Sequence, residues 1–194
     1  SSDDIVIDGI HLGKEEKIYF LLNKPRGVVS SVSDDKERKT VVDLIDTDKR
    51  IYPVGRLDYD TTGLIILTND GELSNILTHP NSKVEKTYLV KLDRIIEMED
   101  FYKIKEGIII DGRKVDVKHL KLKKTDKKKN NCFIEITIIE GRNHIIKNLF
   151  KKLGYNVDKL SRIHYAFLSI GNLQSGEYRV LNKKEVHELY AYKR

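Results

Sequence analysis

Tyr52 to Glu72 reads YPVGRLDYDTTGLIILTNDGE, and the two halves of this stretch differ in kind. Leu64 to Leu67 is short and wholly apolar, the pattern of a buried strand. Gly55-Arg56-Leu57-Asp58 before it places a guanidinium and a carboxylate where a core requires hydrocarbon. A buried charge is very costly unless paired. Asp58 is therefore expected on a loop or in a cleft with a cation at hand, either Arg56 or a group from later in the chain. Thr61, Thr62 and Gly63 supply hydroxyls and a permissive backbone, which suit a tight, hydrogen-bonded entry into the strand.

Working outward, LLNKPRGVVSS (Leu21 to Ser31), VEKTYLVKL (Val84 to Leu92), EGRN (Glu140 to Asn143) and LSIGNLQSGEYRVL (Leu168 to Leu181) stand around the central stretch. Together with GRLDYDTTGLIILTNDGE, in this order and spacing, they resemble the RsuA/RluB group of bacterial ribosomal pseudouridine synthases. RIYPVGRLDYDTTG and HYAFLSI are most similar to its RluB branch. The resemblance runs from about Lys17 to the end.

Composition bounds the class. At 194 residues with 39% hydrophobic content, the chain is long enough for a sizeable core. Its longest apolar run is far too short to cross a membrane. The first residues, SSDD, are not a basic start followed by an apolar core, so no signal peptide is expected. Cys132 is the single cysteine, which excludes an internal disulfide and a cysteine-rich metal site; a small apolar filler at a strand start is its expected role. A cytoplasmic protein is expected, with a monomer as the default state. The net charge of +6 favours a polyanionic partner but does not by itself identify one.

Residues 1–17 carry Asp3, Asp4, Asp8, Glu15 and Glu16 with Gly9 and Gly13, and read as an acidic tail or linker. The resemblance implies that it is what remains of a connection to a small N-terminal RNA-binding domain, which this sequence does not contain. Residues 18–194 are then the catalytic domain. Strands are expected at Ile18–Leu22, Leu64–Leu67, Val84–Leu92, Val117–Leu122, Phe133–Ile139 and Leu160–Ile170. The lysine-rich stretch from Lys121 to Lys129 is expected as a hairpin loop. Helices are expected at Val41–Ile45 (capped by Thr40), Glu72–Leu77, Glu97–Lys105 and Lys183–Tyr190. Another is expected to be capped by Asn143 and ended by Gly154. On this last helix Ile145, Ile146, Leu149, Phe150 and Leu153 form the apolar stripe, while His144, Lys147 and Lys151 recur at i, i+3 and i+7 on another face. Strands outnumber helices and short turns join several neighbours, so the fold class is α+β. The resemblance refines this to the pseudouridine synthase fold: a long bent, mainly antiparallel or mixed sheet flanked by helices, with the active-site cleft across the middle.

The implied chemistry breaks the bond from ribose to the ring nitrogen of uridine, turns the base over and rejoins it through carbon. No atom is lost and no redox change occurs, so neither a cofactor nor a metal is required. By resemblance Asp58 is the catalytic carboxylate. Its residue type alone fits a loop-capping aspartate equally well, and attack on the sugar or on the ring is left open. A nucleophilic carboxylate in a partly dry cleft needs an opposite charge nearby. Carried over position by position, that charge is Lys147. Ile145, Lys147 and Asn148 stand where the family commonly has glutamine, arginine and a second arginine. Lysine is a cation but lacks the guanidinium fork. Tyr88 in KTYLV matches the family's active-site tyrosine, whose ring would stack on the uracil and whose hydroxyl would handle a proton. Arg56 is the candidate for filling the space left by a flipped-out base, or else the charge partner of Asp58 or Asp60. Lys24 and Arg26 on the Pro25–Gly27 turn are candidate RNA contacts, as are Arg142 and Asn143 at a helix N-terminus and His144 and Lys151 on the helix itself. The target RNA is ribosomal, with the large subunit favoured by the RluB-like stretches.

Two other classes compete. Asp58-Tyr59-Asp60-Thr61-Thr62 fits D-x-D-x-T of the haloacid-dehalogenase phosphatases, but Pro53, Gly55 and Arg56 interrupt the strand that motif needs, and no downstream acidic pair is evident. A non-catalytic ribosomal RNA-binding or assembly factor fits the charge equally well; Asp58, Tyr88 and Lys147 together argue against it.

Overall fold

A computed structural model of the chain describes residues 5–7, 10–12 and 15–193. Within the stretch expected as a tail, β1 (Ile5–Ile7) pairs antiparallel with β2 (Ile10–Leu12); residues 1–4, 8, 9, 13 and 14 lie outside the described residues, so the rest of that expectation does too. Then follow β3 (Tyr19–Lys24), β4 (Tyr52–Val54), β5 (Thr62–Thr68), α1 (Gly71–Thr78), β6 (Lys86–Leu92) and α2 (Met98–Glu106). The order continues with β7 (Ile109–Ile110), β8 (Arg113–Lys114), β9 (Val117–Asp126), β10 (Asn131–Ile138) and α3 (Ile145–Lys152). It ends with β11 (Val157–Tyr165), β12 (Leu168–Ser169), β13 (Tyr178–Val180) and α4 (Lys183–Tyr190). The architecture is α+β, as expected.

The main sheet runs β13-β3-β5-β11-β6-β10-β9, with β4 added to β5 and β12 to β11. All its pairings are antiparallel except β5 with β11, which meet in parallel over Ser161↔Thr62 and Arg162↔Gly63. This junction divides the core in two. On one side β5 is covered on both faces. Leu64 and Ile66 join Leu21, Leu73, Leu77 and Leu189, while Ile65 and Leu67 join Phe20, Leu22, Val41 and Ile45. Burial on both faces explains why Leu64–Leu67 has no polar alternation. On the other side β6, β9 and β10 pack under α2 and α3 through Val90, Ile134, Ile136, Phe101, Ile104, Leu149 and Phe150.

Several expected boundaries move. The lysine-rich stretch is not a loop but strand as far as Asp126, pairing Asp126↔Asn131 and Lys124↔Phe133, with only residues 127–130 in the turn. β9 is a sheet edge, and lysines on an edge strand keep it from pairing with another chain. The long strand expected over Leu160–Ile170 is instead β11, a turn at Ala166 with φ 54, and β12 folded back on it. Thr40 does not cap the short helical turn at Val42–Leu44; its amide donates instead to the Asp43 carboxylate at 2.9 Å. Asn143 does not cap α3 either. His144 holds the cap position with φ 57 and makes no side-chain capping bond.

Asp70 ties three elements together. It caps α1 by accepting from the Leu73 amide at 3.2 Å, and it also accepts from the Tyr19 hydroxyl at 2.6 Å and from the Tyr190 hydroxyl. Burial acts to raise its pKa, but the hydrogen bonds from Tyr19, Tyr190 and Leu73 prevail and hold it below the usual carboxylate range. Asp70→Ala is expected to destabilise the fold by about 3 kcal/mol through loss of the cap and of two half-buried hydroxyl partners. Because the folded-state pKa is depressed, this contribution is present above about pH 4 and lost as pH falls through the folded-state value. The stability gap between Asp70→Asn and the parent, read by urea unfolding, should therefore close on acidification. A gap that does not change with pH would contradict it.

Candidate active site

Asp58 sits in the turn that leads into β5, and two backing contacts hold it. The Ser30 hydroxyl donates to the Leu57 carbonyl at 2.9 Å and accepts from the Leu57 amide at 3.1 Å. The Gly27 amide donates to the Tyr59 carbonyl at 2.9 Å, from a backbone at φ 79 that favours glycine. The Thr61 amide closes the turn on the Asp58 carbonyl at 3.0 Å. Both neighbours of Asp58 are thus tied to residues 27–30, which is the structural use of the NKPRGVVS stretch.

The partner charge arrives from the other half of the molecule. Ile145, Ile146, Leu149 and Phe150 seat α3 in its core, which turns Lys147 toward Asp58. Lys147 Nζ lies 3.0 Å from Asp58 Oδ2 and 2.9 Å from Asp60 Oδ1. His144 Nδ1 stands 3.4 Å from the same Asp58 oxygen. Burial acts to lower the Lys147 pKa, but the hydrogen bonds to Asp60 and Asp58 outweigh it and leave the ammonium above its ordinary value. The hydrogen bond from Lys147 holds Asp60 below the usual carboxylate range.

These groups line a cleft of about 1110 Å³ whose walls include Arg56, Asp58, Tyr88, Lys147, Arg162 and Tyr165. Tyr88 lies on β6 and is 9% exposed. Arg56 is exposed and, among the described residues, forms no ion pair with Asp58 or Asp60, so the charge-balancing alternative is not what its position supports. Arg26 and Lys151 are exposed, as are Asn143 and His144.

Two candidate RNA contacts face elsewhere. Lys24 is fully buried, and its ammonium donates to the carbonyls of Val28 at 2.8 Å, Pro25 at 3.0 Å and Tyr59 at 3.3 Å. Burial pushes its pKa down to about 8, against the pull of Asp60 and Asp58. It braces the Asp58 turn from behind and offers nothing to a phosphate. Arg142 is drawn inward by Glu140, which it grips with Nε and with Nη2 at 3.1 Å, and by the carbonyls of Ile110 at 2.6 Å and Arg113 at 3.3 Å. A guanidinium so occupied does not add to an anion site at the α3 N-terminus.

Reading the sequence missed Asp60 as a member of the site, although it lies two residues from Asp58 across one turn. It also missed Lys86 and Arg162. Lys86 is two residues from Tyr88, hence on the same strand face, and that spacing was a usable signal. Arg162 had none, because only the pairing of β11 with β6 and β5 brings it here.

No helix among the described residues is long and apolar enough to cross a membrane, and no group of three or more metal-ligating side chains is present among them. The profile of the RNA pseudouridylate synthase family matches residues 18–152. The chain is 46% identical over 191 residues to a Bacillus subtilis protein named ribosomal large subunit pseudouridine synthase B, covering 98% of this chain and 78% of that one. It is 35% identical to an Aquifex aeolicus protein named as an uncharacterized RNA pseudouridine synthase, over 97% of this chain and 76% of that one. A crystal structure of a pseudouridylate synthase superposes with a TM-score of 0.77 at 37% identity, covering 91% of this chain and 75% of that one. With the fold, the carboxylate–ammonium pair and these relatives in agreement, the chain belongs to the RNA pseudouridylate synthase family.

Proposed function

We propose that the chain isomerises uridine to pseudouridine in ribosomal RNA, specifically in large-subunit RNA, as a member of the RsuA/RluB branch. The observation that carries this reading is the contact of Lys147 with Asp58 at 3.0 Å in a cleft that also holds Tyr88. The named large-subunit activity of the Bacillus subtilis relative supports the choice of RNA. Asp58 is the carboxylate that works at the glycosidic bond, Lys147 holds it in place through one of its oxygens, and Tyr88 stacks on the target ring. Arg56 fills the space the flipped base leaves. Arg26, Asn143, His144 and Lys151 remain exposed for contacts to the RNA around the cleft. Residues 1–17 connect to an RNA-binding domain in this reading. The protein acts in the cytoplasm as a monomer and needs neither cofactor nor metal.

Asp58→Asn keeps the size and part of the hydrogen bonding but removes the nucleophile. Pseudouridine formation in ribosomal RNA is expected to fall below detection, with the Kd for RNA within about threefold of the parent. A variant that still turns over at a sizeable fraction of the parent rate would refute the assignment.

Lys147→Met leaves Asp58 and Asp60 facing each other with no shared cation. A loss of about a hundredfold in single-turnover rate at neutral pH is expected. Lys147→Arg restores a charge and is expected to recover to within about tenfold of the parent. Parent-like rates for the methionine variant would reduce Lys147 to a surface group.

Taking a base out of a stem costs a few kcal/mol, and each 1.36 kcal/mol is tenfold in rate. If Arg56 offsets that cost, Arg56→Ala should lower kcat/KM by about a hundredfold on a structured stem-loop and by less than about tenfold where the target uridine is already unpaired. Measured at one salt concentration, equal ratios on the two RNAs would remove the flipping role.

A further inference from the structure

Two cations in the cleft wall have no use in the mechanism above. Arg162 is 3% exposed. Its Nε donates to the Leu64 carbonyl at 2.8 Å, and its guanidinium lies 4.9 Å from the centre of the Tyr165 ring. Its Nη2 is buried with no hydrogen-bond partner. Lys86 lines the same cleft. Burial and the nearby Arg162 charge push its pKa down to about 8, partly offset by Glu140. Glu140 is already gripped by Arg142 through two nitrogens. Among the described residues neither Lys86 nor Arg162 forms an ion pair. Two like charges side by side, Arg162 almost fully buried and Lys86 half-buried, with no ion-pair partner among the described residues are costly to hold, so this wall is built to receive negative charge.

Register fixes where that charge would sit. Arg162 is directly opposite Tyr88 in the antiparallel β6–β11 pair, and Lys86 is opposite Tyr165. Residues opposite one another in such a pair project from the same face. Lys86, Tyr88, Arg162 and Tyr165 therefore form one patch of cleft wall, with the two cations on one diagonal and the candidate stacking tyrosine adjacent to both.

We propose that Lys86 and Arg162 form an anion subsite for the detached uracil ring. The inference rests on the isomerase reading above. When the bond from C1′ to N1 breaks, its electron pair stays on the base, and the negative charge spreads over N1, O2 and O4. The ring must persist as this anion while it turns. C5 then bonds to C1′, the C5 proton leaves and N1 takes up a proton, so that product and substrate are isomers. A guanidinium and an ammonium facing the carbonyl oxygens hold the ring between breaking and remaking the bond. They stabilise charge that exists only after scission, and so they act on rate rather than on affinity.

The test measures Lys86→Met, Lys86→Arg and Arg162→Met on an RNA hairpin bearing the target uridine and on the same hairpin with 5-fluorouridine in its place. Glycosidic scission is read in single turnover as loss of the starting nucleoside from digested RNA. Fluorine withdraws electrons and makes the detached ring a more stable anion, so it substitutes for part of what the cations do. Lys86→Met is expected to slow scission of uridine by about a hundredfold with Kd for the RNA unchanged. The slowing should shrink by at least about tenfold on 5-fluorouridine, and Lys86→Arg should restore most of the rate. An equal defect on both RNAs, or a weakened Kd with the rate intact, would overturn the subsite. Should Arg162→Met fail to fold, the two Lys86 variants decide the matter alone. Absence of pseudouridine formation by the parent protein on the uridine hairpin would instead defeat the isomerase reading, which separates that failure from this one.

Discussion

Everything in the molecule that bears on chemistry depends on one close approach. A β-carbon added to Gly63 would lie 2.2 Å from the Arg162 carbonyl oxygen and 2.5 Å from its nitrogen, which no side chain permits. Gly63 also has φ 113, outside the range that other residues adopt readily. The parallel ladder between β5 and β11 is only two residue pairs long, and this contact, with the Arg162 Nε bond to the Leu64 carbonyl and the packing of Tyr165 and Leu168 on Leu64 and Ile66, joins the half that carries Asp58 to the half that carries α3, Tyr88 and Arg162. The TTG that follows the catalytic candidate is therefore more than a flexible entry to a strand. It lets β5 lie against β11 at the junction of the two halves.

The charges of the cleft divide into two groups with different neighbours. Near the opening, Asp58 and Asp60 share Lys147, and His144 stands by; the Lys147 side chain keeps 26% of its surface exposed. In the wall, Arg162 is almost fully buried, and Lys86 beside it shares no carboxylate among the described residues. The first group holds its counter-charge before RNA arrives, two carboxylates on one ammonium, and the second holds none. A carboxylate with its cation already in place is poised to attack or assist at the sugar. An unbalanced pair of cations gains only when negative charge appears on the base, so the two groups serve opposite ends of the same breaking bond.

How much of this could be read from the residues follows from range. The apolar run Leu64–Leu67 marks a strand covered on both faces, and the stripe Ile145, Ile146, Leu149, Phe150 marks the face that seats α3. Both are local patterns, and both are found. Asp58 and Lys147 are 89 residues apart, and it was resemblance rather than periodicity that joined them. Lys24, a lysine between a strand and a proline turn, looks exposed; nothing local says that three carbonyls converge on it. The end of β9 was misplaced for a related reason, since Lys121 to Lys129 looks like solvated loop until a partner strand is known. Arg162 was not singled out because its burial comes from tertiary pairing alone.

The departures from the family pattern at 145–148 make physical sense in this geometry. Ile145 is 5% exposed and part of the core under α3, so an apolar residue there adds to the seating of the helix. Lysine at 147 in place of arginine changes the shape of the charge. A guanidinium spreads five protons in a rigid plane, whereas an ammonium directs three from a single point toward acceptors on different sides. Lys147 does divide them, at 3.0 Å to Asp58 and 2.9 Å to Asp60. The turn Asp58–Thr61 brings both carboxylates within reach of that one nitrogen. Lys147 and Asp60 thus belong together: the second acid gives the ammonium a fixed position, and a fixed ammonium leaves one oxygen of Asp58 free to face the substrate.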